Sequence, residues 1–189
     1  MRPDGFPSGS SAEPAQRLFF ALWPPAPLAE ALHEHARDYA ALHGGRVMRG
    51  DTLHLTLQFL GATPVSAIPR LLDLASTLRA PAFALEIDRL GYWPDKHILW
   101  AGSATIPRQA VELVTSLASA LQISGNWPIT KPARPFVPHL TLIRHAGVPV
   151  RTLPPLPALR WHCDRFVLVR SHRSARGADY ENIGEWRLR

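Results

Sequence analysis

The segment HLTLQFLG, residues 54–61, opens with four residues that recur as HLTL at residues 139–142, 85 positions later. That interval is almost half of the chain, which is too long for a solenoid period and fits two related lobes. In a strand, residues i and i+2 lie on one face, so His54 and Thr56 point together while the leucines between and after them point into the core. The repeat therefore predicts two strands that each present an imidazole beside a hydroxyl.

Two such strands facing each other would surround one site with two imidazoles, His54 and His139, and two hydroxyls. This set suits in-line attack on a phosphodiester, because a neutral histidine can take a proton from the nucleophile while a protonated one gives a proton to the leaving oxygen. A histidine pKa near ~6.5 lets both forms exist at neutral pH. The hydroxyls of Thr56 and Thr141 would donate hydrogen bonds to the non-bridging oxygens as negative charge develops there.

The alternative interpretation of each tetrad is a polar cross-strand pair on a half-exposed strand. That interpretation accounts for one copy. It does not explain why the same four residues recur within apolar flanks, so we prefer a two-histidine acid–base site.

Hydrophobic periodicity and turn residues predict short strands and three helices. The predicted order is strand 17–23, helix 28–42, strand 52–60, a turn at 61–64, helix 65–78, strands 82–90 and 97–103, a helix from Pro107 to Gly125, and strands 139–144, 160–171 and 180–188. Long helices mixed with hairpins indicate an α+β fold with largely antiparallel sheets. We expect residues 1–15 to be a disordered tail and residues 16–189 to form a single two-lobed domain.

The composition is that of a globular protein, with 46% hydrophobic and 19% charged residues among 189. No apolar run approaches the ~20 residues that span a bilayer, and the first residues lack the apolar stretch of a signal peptide. We therefore expect a cytoplasmic protein without a membrane partner. The net charge of +6 is compatible with a polyanionic partner, although an arginine-rich composition also follows from a GC-rich genome.

The single cysteine, Cys163, excludes an internal disulfide and a thiolate metal cluster. We expect it to be a small buried hydrophobic residue. A nucleophile beside His162 is the alternative, which strand alternation disfavours. His33 and His35 lie two apart on a predicted helix and do not face each other. No metal site and no cofactor are therefore expected.

The paired H-x-T-x tetrads look like those of the two-histidine (2H) phosphoesterase superfamily. The resemblance is closest to its bacterial and archaeal branch, named 2′–5′ RNA ligase or RNA 2′,3′-cyclic phosphodiesterase. Further segments resemble this branch over residues 16–188: residues 17–21 its opening strand, 54–61 its first motif, 99–102 its middle hairpin and 134–144 its second motif.

The resemblance implies a bilobed, pseudo-two-fold fold with two largely antiparallel sheets, helices on the outer faces and a central cleft. It also implies metal-independent hydrolysis of a 2′,3′-cyclic phosphate, at an RNA end or on a nucleotide, to a 2′-phosphomonoester. By carry-over, His54 protonates the departing 3′-oxygen and His139 activates water, although the pseudo-symmetry leaves these two roles exchangeable. We expect a monomer.

Residues near the second tetrad are candidates for substrate contacts. Arg134 matches the family and would clamp phosphate or stack on a base, whereas Lys131 is expected to be a solvated basic residue. Arg144 also matches the family, but strict alternation from His139 puts it on the opposite face unless the strand bends. Phe136 is the preferred base-stacking residue among the aromatic candidates Phe59, Trp93, Trp127 and Phe136.

Three other functions stay open at this point. One is reversible 2′–5′ RNA ligation by the same chemistry in reverse, and another is hydrolysis of a different small cyclic or 2′-linked nucleotide. The third is a non-catalytic module that binds RNA ends, which the two intact tetrads argue against.

Overall fold

The structure, a computed structural model, describes residues 13–124, 127, 136–148, 153–174 and 177–189, except for the side chains of residues 173 and 174. Within these residues the elements are β1 Ala15–Leu22, α1 Ala26–His43, β2 Arg46–Val47, β3 Leu55–Pro64, α2 Ile68–Thr77, β4 Phe83–Ile87, β5 Arg89–Trp93, β6 Ile98–Gly102, α3 Arg108–Ile123, β7 His139–Arg144, β8 Leu159–Cys163, β9 Arg165–Ser174 and β10 Gly177–Arg187.

The described strands form two antiparallel sheets. Seven strands of the larger, eight-stranded sheet run in the order β10-β9-β1-β3-β7-β6-β5, with β2 paired to β7, and the smaller sheet is β4-β8. The predicted α+β class with antiparallel sheets is confirmed. The two halves of the large sheet meet at one residue pair, Leu55 opposite Leu140, between β3 and β7. The tetrads therefore lie at the junction of the two halves.

Alternation along β1 assigns its side chains to two faces of the large sheet. Leu18, Phe20 and Leu22 belong to the main core, together with the buried residues of all three helices. Phe19 and Ala21 point the other way and form a small separate cluster with Val167 and Val169 of β9, to which no described helix contributes. We call this second side of the sheet the open face.

The predicted turn at 61–64 is wrong, because β3 continues to Pro64 opposite Ala15 of β1. The glycine that suggested a turn instead occupies a bulge. One residue of β3 has no partner in β1, because Leu18 pairs with Gly61 and the next residue, Phe19, pairs with Phe59. Gly61 has a φ of 73°. A positive φ is easily adopted by glycine, which is why glycine suits such a bulge.

Two predicted strands are each divided between the two sheets. The strand predicted at 82–90 becomes β4 in the small sheet and β5 in the large one, with Asp88 between them. The strand predicted at 160–171 becomes β8 and β9, separated by Asp164. The small sheet is thus built from the first halves of two predicted strands. The alternation of apolar residues continues across each break, so the sequence pattern does not reveal that the strand changes sheet.

The fold begins before the end of the predicted tail. Ala15 is the first residue of β1, and the Glu13 carboxylate accepts a hydrogen bond of 2.9 Å from the Ser66 backbone N–H. Residues 1–12 lie outside the described residues. No helix in the described part of the chain is long and apolar enough to cross a membrane.

Candidate active site

The pairing of β3 with β7 brings the two tetrads together. Leu55 and Leu140 are opposite each other in antiparallel strands. The residues on either side of this pair are therefore also neighbours, His54 beside Thr141 and Thr56 beside His139. A local two-fold axis through the leucine pair relates the two copies, which is the symmetry that the sequence repeat predicted. All four side chains line one cavity of about 210 Å³.

Each tetrad also ends in a bulge at the same position. The β1–β3 register skips Leu57, and the β6–β7 register skips Leu142. A skipped residue reverses the alternation beyond it. Arg144 is consequently brought to the cavity lining, on the side of His139. Strict alternation predicted that Arg144 faces away from His139, and this was wrong. The bulge supplies the bend in the strand that the resemblance to the family required at Arg144.

The two histidines make the same hydrogen bond. His54 Nδ1 lies 2.8 Å from the Thr52 carbonyl oxygen, and His139 Nδ1 lies 2.8 Å from that of Val137. A carbonyl only accepts, so each Nδ1 carries the proton and donates it. Each Nε2 is therefore the ring nitrogen that remains to exchange a proton with a bound ligand.

Aromatic rings enclose both imidazoles. The Trp23 ring stacks on His54 with centroids 5.5 Å apart and planes 14° apart, and Tyr180 meets His54 edge-on at 5.0 Å. On the other half of the sheet, Trp93 meets His139 edge-on at 4.5 Å. These walls fix the ring orientations and reduce contact with water.

Burial in the cavity favours the neutral form of both histidines in the free protein. Burial lowers the pKa of His54 to about 4, against the hydrogen bond to Thr52, and the positive charges of Arg144 and of a protonated His139 add to the lowering. Burial also lowers the pKa of His139, against its bond to Val137, and Lys96 contributes in the same direction. A bound anion would raise both pKa values.

The cavity is built to receive an anion. Among the described residues its lining includes Arg144 and Lys96 and contains no carboxylate. Arg144 forms no ion pair within the described part of the chain. The Lys96 Nζ lies 5.4 Å from the centre of the Trp93 ring, which holds the ammonium beside His139.

The described residues contain no group of three or more His, Cys, Asp or Glu side chains that could hold a metal ion. The chemistry that this lining supplies is proton transfer from two imidazoles together with hydrogen-bond donors and positive charge. That combination fits a reacting phosphate, whose oxygens need donors and whose nucleophile and leaving group need proton transfer.

Sequence reasoning missed Trp23, Lys96 and Tyr180, which contact or charge the site. It also missed three further lining residues, Met48, Thr52 and Ile98. Trp23 lies two residues after Ala21 and therefore continues the face of β1 that carries Phe19. The alternation of β1 could thus have placed Trp23 on that face. Lys96 and Tyr180 come from distant segments and carried no local signal.

The other sequence candidates are placed as follows. Arg134 and Lys131 lie outside the described residues. Phe136 is half-buried against the main core and does not line the cavity, so the structure does not bring this predicted stacking residue to the site. Trp127 also packs against the main core. Cys163 is 2% exposed and burial raises the pKa of its thiol to about 12, in agreement with a buried hydrophobic role.

Comparison with known proteins identifies relatives over nearly the whole chain. The family described as LigT like Phosphoesterase matches residues 22–100. The chain is 35% identical to the RNA 2′,3′-cyclic phosphodiesterase of Escherichia coli, over 92% of this chain and 97% of that protein. It is 30% identical to the enzyme of the same name from Thermus thermophilus, over 92% of this chain and 90% of that one. The crystal structure of E. coli LigT complexed with 3′-AMP superposes with a TM-score of 0.82 at 34% identity, covering 92% of this chain and 98% of that chain.

Proposed function

Since the chain belongs to the LigT-like phosphoesterases of the 2H superfamily, we propose that it hydrolyses RNA 2′,3′-cyclic phosphates to 2′-phosphomonoesters by paired-histidine acid–base catalysis without a metal ion. One observation carries the proposal. Two imidazoles, each with its Nδ1 committed to a backbone carbonyl, border a single cationic cavity. This arrangement leaves two Nε2 atoms to serve the two oxygens of an in-line displacement.

In the proposed reaction, water displaces the 3′-oxygen at phosphorus. Arg144 and the hydroxyls of Thr56 and Thr141 hold the non-bridging oxygens. His139 Nε2 takes a proton from water as the water oxygen bonds to phosphorus, and the bond from phosphorus to the 3′-oxygen breaks. Protonated His54 gives its Nε2 proton to that 3′-oxygen. The phosphate stays on the 2′-oxygen, and one proton has moved from His54 to His139.

Substrate binding sets the protonation state that this reaction needs. The lowered pKa values favour the neutral form of both histidines in the free protein at neutral pH. A cyclic phosphodiester brings one negative charge between them, and an anion favours the imidazolium form. Uptake of one proton with the substrate therefore prepares the acid while its partner stays neutral.

The pH profile follows from these shifts. The profile of kcat/KM reports the pKa values of the free enzyme, and the reactive form carries one proton on the histidine pair. With both pKa values below 6.5, kcat/KM is expected to peak below pH 6.5 and to fall at higher pH as the last proton leaves. The pH profile of kcat is expected to lie at higher pH than that of kcat/KM, because the bound anion raises the pKa values of both histidines. Steady-state kinetics from pH 4 to 9 measure both profiles, and a kcat/KM maximum at or above pH 7 would contradict the account.

The proposed activity is tested with adenosine 2′,3′-cyclic phosphate and purified protein in EDTA, with 2′-AMP and 3′-AMP resolved by chromatography. We expect 2′-AMP alone, at a rate that EDTA does not change, because the lining supplies its own proton donors and positive charge. Formation of 3′-AMP, or activity lost in EDTA and restored by a metal ion, would refute the mechanism. Binding of RNA ends without turnover would favour the non-catalytic alternative.

We further propose that residues 16–189 form one domain and that the protein is a cytoplasmic monomer. A single main core that joins all three described helices to residues of both sheets supports the one-domain interpretation. Sedimentation velocity tests the monomer, limited proteolysis tests the single domain, and subcellular fractionation tests the location.

A further inference from the structure

Arginines that have no acidic partner among the described residues continue from the cavity onto the open face. In the β2–β7 pairing Arg46 is directly opposite Arg144, so the two side chains share a face. Arg17 of β1 lies in one row with Ser171 of β9 and Tyr180 of β10. Neither Arg17 nor Arg46 forms an ion pair with a carboxylate in the described part of the chain.

Two arginines of β9 are neutralised by contrast. Arg165 pairs with Asp164 and Glu185, and Arg170 pairs with Glu181. In the part of the chain that the structure describes, Arg17 and Arg46 thus keep a positive charge that no carboxylate offsets, and this charge attracts an anionic ligand.

Tyr180 links these arginines to the catalytic centre. Its ring meets His54 at 5.0 Å and Phe19 at 5.4 Å, both edge-on. Burial raises the pKa of Tyr180, while the guanidiniums of Arg144, Arg17 and Arg46 lower it. Arg46 also reaches β10, since a Cβ added at Gly177 would lie 2.7 Å from Arg46 Nη1.

An exposed aromatic ring completes this surface. Strict alternation from His54 predicts that Phe59 faces away from that histidine. The bulge at Leu57 instead puts Phe59 opposite Phe19 and thus on the open face. Phe59 is 47% exposed, and the Arg17 guanidinium carbon lies 4.5 Å from its ring centre. An exposed ring stacked against a guanidinium is a surface on which a nucleobase can stack.

We propose that the surface formed by Arg17, Arg46, Phe59 and Tyr180 binds the RNA strand on the 5′ side of the cyclic phosphate. The guanidiniums contact backbone phosphates, and the Phe59–Arg17 pair stacks on a base. This inference rests on the proposed function and makes oligoribonucleotides, rather than mononucleotides, the preferred substrates. A mononucleotide has one phosphate, which occupies the cavity, and would leave these two arginines without a partner.

The test compares two substrates that share the reacting group: adenosine 2′,3′-cyclic phosphate and an oligoribonucleotide ending in it. We expect the double variant Arg17→Gln/Arg46→Gln to raise KM for the oligonucleotide on the order of tenfold and to leave kcat/KM for the mononucleotide within about twofold. The matched control Arg37→Gln/Arg108→Gln removes the same charge from exposed positions on α1 and α3 and should change neither value.

Direct binding separates this inference from the catalytic proposal. Fluorescence anisotropy with an oligoribonucleotide should give a salt dependence whose slope falls by about 1.4 in the double variant, because each single-strand phosphate contact contributes about 0.7. Phe59→Ala should weaken binding without changing that slope. Equal KM values for the two substrates in the wild-type protein, or an unchanged slope, would overturn the inference. Absence of hydrolysis of both substrates, with the slope change intact, would instead overturn the proposed function.

Discussion

Replacement of His54 or His139 by asparagine is expected to lower kcat on adenosine 2′,3′-cyclic phosphate by at least ~10²-fold, the usual contribution of one acid–base group. Asparagine keeps an N–H that can donate to the Thr52 or Val137 carbonyl, but it cannot exchange a proton near neutral pH. The variant therefore removes the chemistry while preserving the local hydrogen bond. Steady-state kinetics give the loss, and circular dichroism with a thermal melt checks the fold.

His33 provides the matched control for these variants. Its Nδ1 lies 2.8 Å from the Met48 carbonyl oxygen, which is the same type of contact, but its side chain does not line the cavity. His33→Asn should retain activity near the wild-type value. Turnover of the folded His54 or His139 variant within tenfold of wild type would remove that histidine from the mechanism.

Replacement of Arg144 by glutamine is expected to lower kcat/KM by about 10²–10³, the typical cost of losing one donor to a developing oxyanion. Arg144 lines the cavity and has no carboxylate partner in the described residues, so its charge is directed to the ligand. Because Arg144 also lowers the pKa of His54, the variant should shift the kcat/KM profile to higher pH.

The control for Arg144 is Arg79→Gln, since Arg79 is exposed and donates to the backbone carbonyls of Ser76 and Leu78. It should leave kcat/KM unchanged. A value for Arg144→Gln within threefold of wild type, with no change in the pH profile, would show that Arg144 does not contact the reacting phosphate.

The meeting of His54 and His139 at one cavity could be predicted from the sequence, because it follows from two simple regularities. Alternation in a strand puts His54 with Thr56, and the repeat with its 85-residue interval implies a second strand with the same face. A local two-fold axis then brings the copies together. Neither step depends on details of packing, so both survive in the structure.

The orientation of Arg144 and Phe59 could not be predicted, because each lies beyond a bulge. Leu57 and Leu142, the residues skipped at the tetrads, are leucines like their regular neighbours and give no sign of an irregular register. The changes of sheet at Asp88 and Asp164 were hidden for a similar reason. Bulges and changes of sheet are set by tertiary pairing, which a single sequence pattern does not record.

The division of roles between His54 as acid and His139 as base can be measured with a 2′,3′-cyclic phosphate that carries sulfur in place of the 3′-oxygen. A thiol has a pKa near ~8.5, so the sulfur leaves as a thiolate without a proton from the enzyme. We expect the loss of kcat in His54→Asn to become much smaller on the sulfur substrate, because its leaving group needs no proton. The loss of kcat in His139→Asn should persist, because water still needs a base. Equal deficits on the oxygen and sulfur substrates for both variants would contradict this division of roles.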